Sequence, residues 1–183
     1  MSLLTKKFRE YKLSQEIIDV YRDRLSEESI TGYIADFNKE FILLNCFTDE
    51  GENDGVSLFY IEDITRVRAK GNVRKSIKEL SQHKHTKFKS CKIDLKSKDS
   101  ILESVNKIFG HICLHTEGMD NQICFIGSIK DGDKEWIVLD DFGTMTSRDI
   151  KQLILRKDEI SRIDAGGKYE DSINYLATLK KQD

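Results

Sequence analysis

Apolar and polar positions alternate with a period of two from Ile30 to Asp36. Ile30, Gly32, Ile34 and Asp36 fall on one side and Thr31, Tyr33 and Ala35 on the other. That alternation predicts a half-buried strand. Asp36-Phe-Asn-Lys then supplies the residues of a tight reversal, and Phe41-Ile-Leu-Leu reads as the returning strand. Val56–Tyr60 and Thr65–Arg68 follow as further strands on either side of a short acidic turn at Glu62-Asp63. The second half repeats the sequence of signals: Asp131-Gly-Asp-Lys, Trp136-Ile-Val-Leu, Gln152–Leu155, Asp158-Glu159 and Ser161–Asp164. Short strands punctuated at this spacing predict a small barrel or sandwich. Helical spacing appears four times. Ser14 caps a helix carrying Ile17, Ile18, Tyr21 and Leu25, and Ser97 or Asp99 opens another with Ile101, Val105 and Ile108. Val73, Ile77 and Leu80 mark a helix between the halves, and Ile173, Leu176 and Leu179 a terminal one.

The two halves are alike residue by residue. GYIADFNKEFILLN (32–45) and GSIKDGDKEWIVLD (127–140) share seven of fourteen positions at an offset of ninety-five: Gly32/Gly127, Ile34/Ile129, Asp36/Asp131, Lys39/Lys134, Glu40/Glu135, Ile42/Ile137 and Leu44/Leu139. Unrelated segments share about one, because common residues are each used at roughly 5–10%. IEDITRVRAKG (61–71) aligns with KDEISRIDAGG (157–167) at an offset of ninety-six, which places a one-residue insertion in the intervening loop. Two copies of one unit account for both matches. The retained residues are those a turn and a core require, so Phe41 and Trp136, at one repeat position, are both expected in the core.

A helix followed by GYIADFNKEFILL and LFYIEDITRV resembles the Sm/Lsm-like, SH3-type small barrels. The resemblance covers roughly forty residues of each half. It implies two tandem barrels, each preceded by a helix, in a mainly β fold with helices. Where that family uses an Arg/Lys-Gly element to hold RNA bases, this chain has Glu62-Asp63 and Asp158-Glu159. The resemblance therefore carries architecture and not base recognition. The expected layout is a helix and first barrel over 1–71, a basic connector over 72–96, a helix and second barrel over 97–169, and a terminal helix over 170–183.

Composition adds one feature that the pattern does not show. The 183 residues carry a net charge of only −2. Arg66 to Lys98 nevertheless holds twelve Lys/Arg against Glu79 and Asp94, a local +10 that leaves −12 for the remainder. Clustered cations of this kind release counterions on neutralising phosphates, so Arg74, Lys75, Lys78, Lys87, Lys89 and Lys92 are candidate nucleic-acid contacts. The alternatives are a solvated helix face, or packing against the chain's own acidic loop Asp49-Glu50-Gly51-Glu52-Asn53-Asp54. No apolar run reaches the roughly 18 residues of a membrane span, and MSLLTKKFREYK has no apolar stretch of signal-peptide length before charge sets in. A soluble cytoplasmic protein is expected.

The sharpest local chemistry is His111-Ile-Cys113-Leu-His115. On a strand its three metal-ligating side chains share a face, so His111, Cys113 and His115 are candidate zinc ligands. His83, His85, Cys91 or Cys124 are available to complete the set. The four cysteines lack CxxC spacing, and reduced thiols are expected. The chain contains no GxSxG, P-loop, HExxH or GxGxxG. Gly166-Gly167-Lys168 lacks the rest of a phosphate-loop motif. The expected function is accordingly non-catalytic: an adaptor for an as yet unidentified protein partner, able to self-associate through strand edges. Nucleic-acid binding is the alternative and a zinc-stabilised binding domain the third reading.

Overall fold

The computed structural model describes residues 2–89, 92–146 and 149–179. The chain is mixed α/β and divides into two compact units, residues 1–89 and 90–183. Among the described residues there are four α-helices and ten strands, and the strand pairs within each unit are all antiparallel.

The first unit runs α1 (Leu3–Ser14), β1 (Ile18–Tyr21), β2 (Ser29–Phe37), β3 (Phe41–Phe47), β4 (Asn53–Tyr60), a 3-10 turn (Ile61–Asp63), β5 (Arg66–Ala69) and α2 (Asn72–His83). Its strands pair as an open series, β5-β1-β2-β3-β4. Phe8, Ile18, Val20, Ile34, Ile42, Leu44, Cys46 and Phe59 form its core. The expected first helix is displaced toward the N-terminus. Ser2, and not Ser14, is the N-cap, accepting the Thr5 N–H at 3.2 Å. Ile17–Tyr21 is rich in β-branched residues, which fit a pleated, covered strand better than a helix. The charged segment before it forms the helix through little more than a buried Phe8. In α2 only Ile77 of the expected apolar stripe is buried, while Val73 and Leu80 are exposed.

The second unit runs α3 (Lys98–Phe109), β6 (Ile112–His115), β7 (Cys124–Gly132), β8 (Trp136–Asp141), β9 (Lys151–Arg156), a 3-10 turn (Lys157–Glu159), β10 (Arg162–Ala165) and α4 (Lys168–Leu179). Its strands pair in the order β10-β6-β7-β8-β9. Of the two candidate caps, Ser97 caps α3 by accepting the Ser100 N–H at 3.1 Å, and Asp99 lies within the helix. Ile173 and Ala177 of α4 pack with Cys113, Ile126 and Phe142. Residues 180–183 of the expected terminal helix lie outside the described residues. So do Ser90 and Cys91 of the basic stretch.

Phe41 is buried against Tyr60, with ring centroids 4.7 Å apart. Trp136, expected in the core by its matching position, is instead 41% exposed. Its ring lies on the outer face of β8, under the Arg156 guanidinium at 6.0 Å.

Candidate functional site

β6 is a short strand between two others, and register brings its polar face together with theirs. His115 stands opposite Cys124 of β7 and opposite Arg162 of β10, while Cys113 stands opposite Asp164. Directly opposed residues share a face of an antiparallel sheet. Cys113, His115, Cys124, Arg162 and Asp164 therefore converge on one side.

The ligating atoms of Cys113, His115 and Cys124 all lie within 4.8 Å of one another. Cys113 Sγ is 3.4 Å from His115 Nε2, and that nitrogen is 2.8 Å from Asp164 Oδ2. Cys113 is buried and Cys124 exposed, so the group runs from the core to solvent. Around it, Arg162 Nη2 lies 3.0 Å from both ring nitrogens of His115. The other guanidinium nitrogens pair with Glu117 at 3.1 Å and Asp164 at 3.0 Å. Ser161 Oγ donates to the second Glu117 oxygen at 2.8 Å.

The two thiols differ sharply in acidity. The hydrogen bond between them stabilises a thiolate on Cys124, and His115 and Arg162 add favourable charge, lowering its pKa to about 6. The same hydrogen bond, together with burial, pushes Cys113 well above the ordinary thiol value. Two sulfurs and an imidazole at this spacing make a soft donor set, suited to thiophilic metals rather than to calcium or magnesium.

His111, expected to share this set, is placed elsewhere. It precedes β6 and is buried, with Nδ1 3.1 Å from Phe109 O and Nε2 3.3 Å from Asp171 of α4. Cys124 takes its place among the converging residues. His83 and His85 are not part of the group, and Cys91 lies outside the described residues. Arg162, Asp164 and Glu117 were not singled out by sequence. The signal for Arg162 and Asp164 was the repeated SRID/TRVR block, which marks a strand but not its neighbours, and Glu117 lies outside that block.

The basic stretch is less available than its composition indicates. Arg74, expected to touch phosphate, is buried: its guanidinium pairs with Asp19 and bonds the Lys70 carbonyl. The physical reason is that Arg74 sits on the inner face of α2 beside Ile77. Arg66 pairs with Asp23 at 2.8 Å. Lys84 pairs with Glu52 of the acidic loop at 3.0 Å, and Asn53 of that loop donates to the Lys87 carbonyl at 2.9 Å. Lys78 Nζ reaches the Gln15 carbonyl at 3.4 Å. Lys75, Lys87, Lys89 and Lys92 are exposed.

The third feature is β9. Among the described residues it pairs with β8 alone within the second unit. The Lys157 N–H donates to Glu135 O at 2.8 Å. Antiparallel alternation from that bond directs the backbone groups of Gln152, Ile154 and Arg156 away from β8. Ile154 is 61% exposed beside Trp136, so the free edge has an apolar centre.

No family model, curated protein or solved structure matches this chain. Among the described residues, no helix is long and apolar enough to cross a membrane.

Proposed function

We propose that the chain is a non-catalytic interaction protein, built from two tandem copies of a helix-capped, Sm-like small β-barrel, which takes up an extended strand of a partner protein along β9. One observation carries this reading: β9 pairs on one side only, and its outer face exposes Ile154 and Trp136. An unpaired edge offers alternating N–H and C=O groups that a further strand satisfies. Main-chain bonds then supply affinity, and side-chain pockets supply selectivity. Lys151 and Arg156 bracket the apolar centre, which favours a partner strand with an apolar middle and acidic flanks. The matched hairpins and matched element order support the tandem-copy part of the proposal.

The test is photo-cross-linking from a probe installed at Gln152 of the full chain in cells. A discrete protein adduct is expected. Ile154→Pro should abolish it, because proline there removes an outward N–H without removing a ladder bond. An adduct unchanged by I154P in a protein that still melts cooperatively, or no adduct at all, would sink the strand-addition reading. An adduct between two copies would identify the partner as the chain itself.

The exposed Lys75, Lys87, Lys89 and Lys92 favour nucleic acid as a second reading. Its salt dependence separates it from edge pairing.

A further inference from the structure

We propose that Cys113, His115 and Cys124 form a binding site for one zinc-type divalent metal ion, with the fourth coordination position open toward solvent. The site is independent of strand uptake at β9.

Distances carry the first part of the argument. Zinc binds thiolate sulfur at about 2.3 Å and imidazole nitrogen at about 2.0–2.1 Å, in tetrahedral geometry. An ion so bound holds its sulfur and nitrogen ligands about 3.6 Å apart and two sulfurs about 3.8 Å apart. Cys113 Sγ and His115 Nε2 are already 3.4 Å apart, and all three donors lie within 4.8 Å. A separation of 4.8 Å closes to the tetrahedral sulfur–sulfur value by a shift of about 1 Å. The strands themselves are held by continuous pairing on both sides of β6.

Charge carries the second part. With both sulfurs as thiolates, the site holds two negative sulfurs, two negative carboxylates (Glu117 and Asp164) and one positive guanidinium (Arg162), a net −3. A divalent ion brings that to −1. Asp164 Oδ2 stands 2.8 Å from the same His115 Nε2 that faces Cys113 Sγ, so its negative charge lies at the donor atoms themselves. Arg162 bridges the two carboxylates and holds them beside the donor atoms. Access is also provided, because Cys124 is at the surface. Three protein ligands and an exposed side leave a position for water or an exogenous donor, as in open zinc sites and unlike closed structural ones.

The experiment is titration of the reduced, chelator-treated full chain with cobalt(II) under argon, followed by displacement with zinc(II). One equivalent of cobalt(II) should produce thiolate-to-metal charge transfer and an intense visible d–d absorption, and zinc(II) should abolish both. Cys124→Ser should weaken cobalt binding by more than the roughly 10–100-fold that loss of an outer partner costs. Cys124 is exposed, so C124S leaves the core intact. Cys46→Ser, in the first unit, should leave stoichiometry and spectrum unchanged. Absence of a charge-transfer band in protein whose thiols are verified as reduced would overturn the proposal. So would an unaltered band in C124S, or loss of the band in C46S.

Discussion

Asn38 and Asp133 do the same work in their hairpins with different chemistry. Asn38 Oδ1 accepts the N–H groups of Glu40 and Phe41, both at 2.7 Å. Asp133 Oδ1 accepts those of Glu135 and Trp136, both at 2.8 Å. Each is a side chain standing in for a backbone carbonyl in a tight turn. The Trp136 and Glu135 amides favour the charged carboxylate, so the Asp133 pKa lies below its ordinary value in the folded protein. A depressed carboxyl pKa stabilises the fold above the unfolded value of about 4 and loses that contribution as pH falls through the folded value. Asp133→Asn keeps the acceptor and removes the titration. The melting temperature of wild type should therefore drop relative to D133N as pH falls below about 4, with the difference constant at neutral pH. Parallel melting curves across that range would refute this account of the turn. The turn residues were legible in the sequence because their chemistry is local. His111 and Arg74 were misplaced for the opposite reason: their surroundings are set by α4 and β1, far away in the chain. A buried Arg74 is costly to uncouple from Asp19, which is why it is unsuited to exchange its partner for a phosphate.

At the scale of elements, the glycines retained in both hairpins have a packing cause. A Cβ at Gly32 would collide with the Asn45 carbonyl of β3, and one at Gly127 with the Asp140 carbonyl of β8. Both obstructions are backbone, so neither can swing aside. Gly127→Ala should force β7 and β8 apart and cost about 1–3 kcal/mol, the usual range for overpacking. Chemical denaturation would register this as a lower midpoint at unchanged slope. A variant as stable as wild type would show that the strands part without strain. Strand periodicity exposed these hairpins in the sequence because the alternation is repeated along each strand. The first helix was missed because Leu3–Ser14 has no apolar stripe of its own strong enough to outweigh its five charges and buries one side chain, Phe8. The strong apolar run beside it, Ile17–Tyr21, belongs to β1, where neighbouring strands rather than helical spacing decide burial. The thiol–imidazole group was half legible: Cys113 and His115 share a strand, but Cys124 joins them only through the β6–β7 register.

For the whole molecule, the question is how much of the +10 stretch from Arg66 to Lys98 is available to a polyanion. Arg66, Arg74, Lys84 and Lys96 are paired with Asp23, Asp19, Glu52 and Asp94. Lys98 donates to the Lys157 and Ile160 carbonyls at 2.7 and 3.1 Å. Of the six candidate contacts, removing Arg74 leaves Lys75, Lys78, Lys87, Lys89 and Lys92. Arg68 and Lys70 of the stretch are exposed as well. Each phosphate neutralised on duplex DNA contributes about −0.9 to the slope of log K against log salt, so these seven allow a slope of at most about −6.3. Lys87, Lys89 and Lys92 account for about −2.7 of it. Titrating labelled duplex DNA at several salt concentrations should accordingly give a slope no steeper than about −6.3, with affinity in the roughly 10⁻⁴–10⁻⁶ M range of non-specific binding at physiological salt. Changing Lys87, Lys89 and Lys92 to Gln should flatten the slope by about 2.7. A surface of that strength would be incidental attraction, compatible with the proposed strand uptake at β9. A steeper slope, or affinity well beyond the non-specific range that the triple variant loses, would require further phosphate contacts. The basic stretch would then be the principal binding surface, and β9 a secondary one.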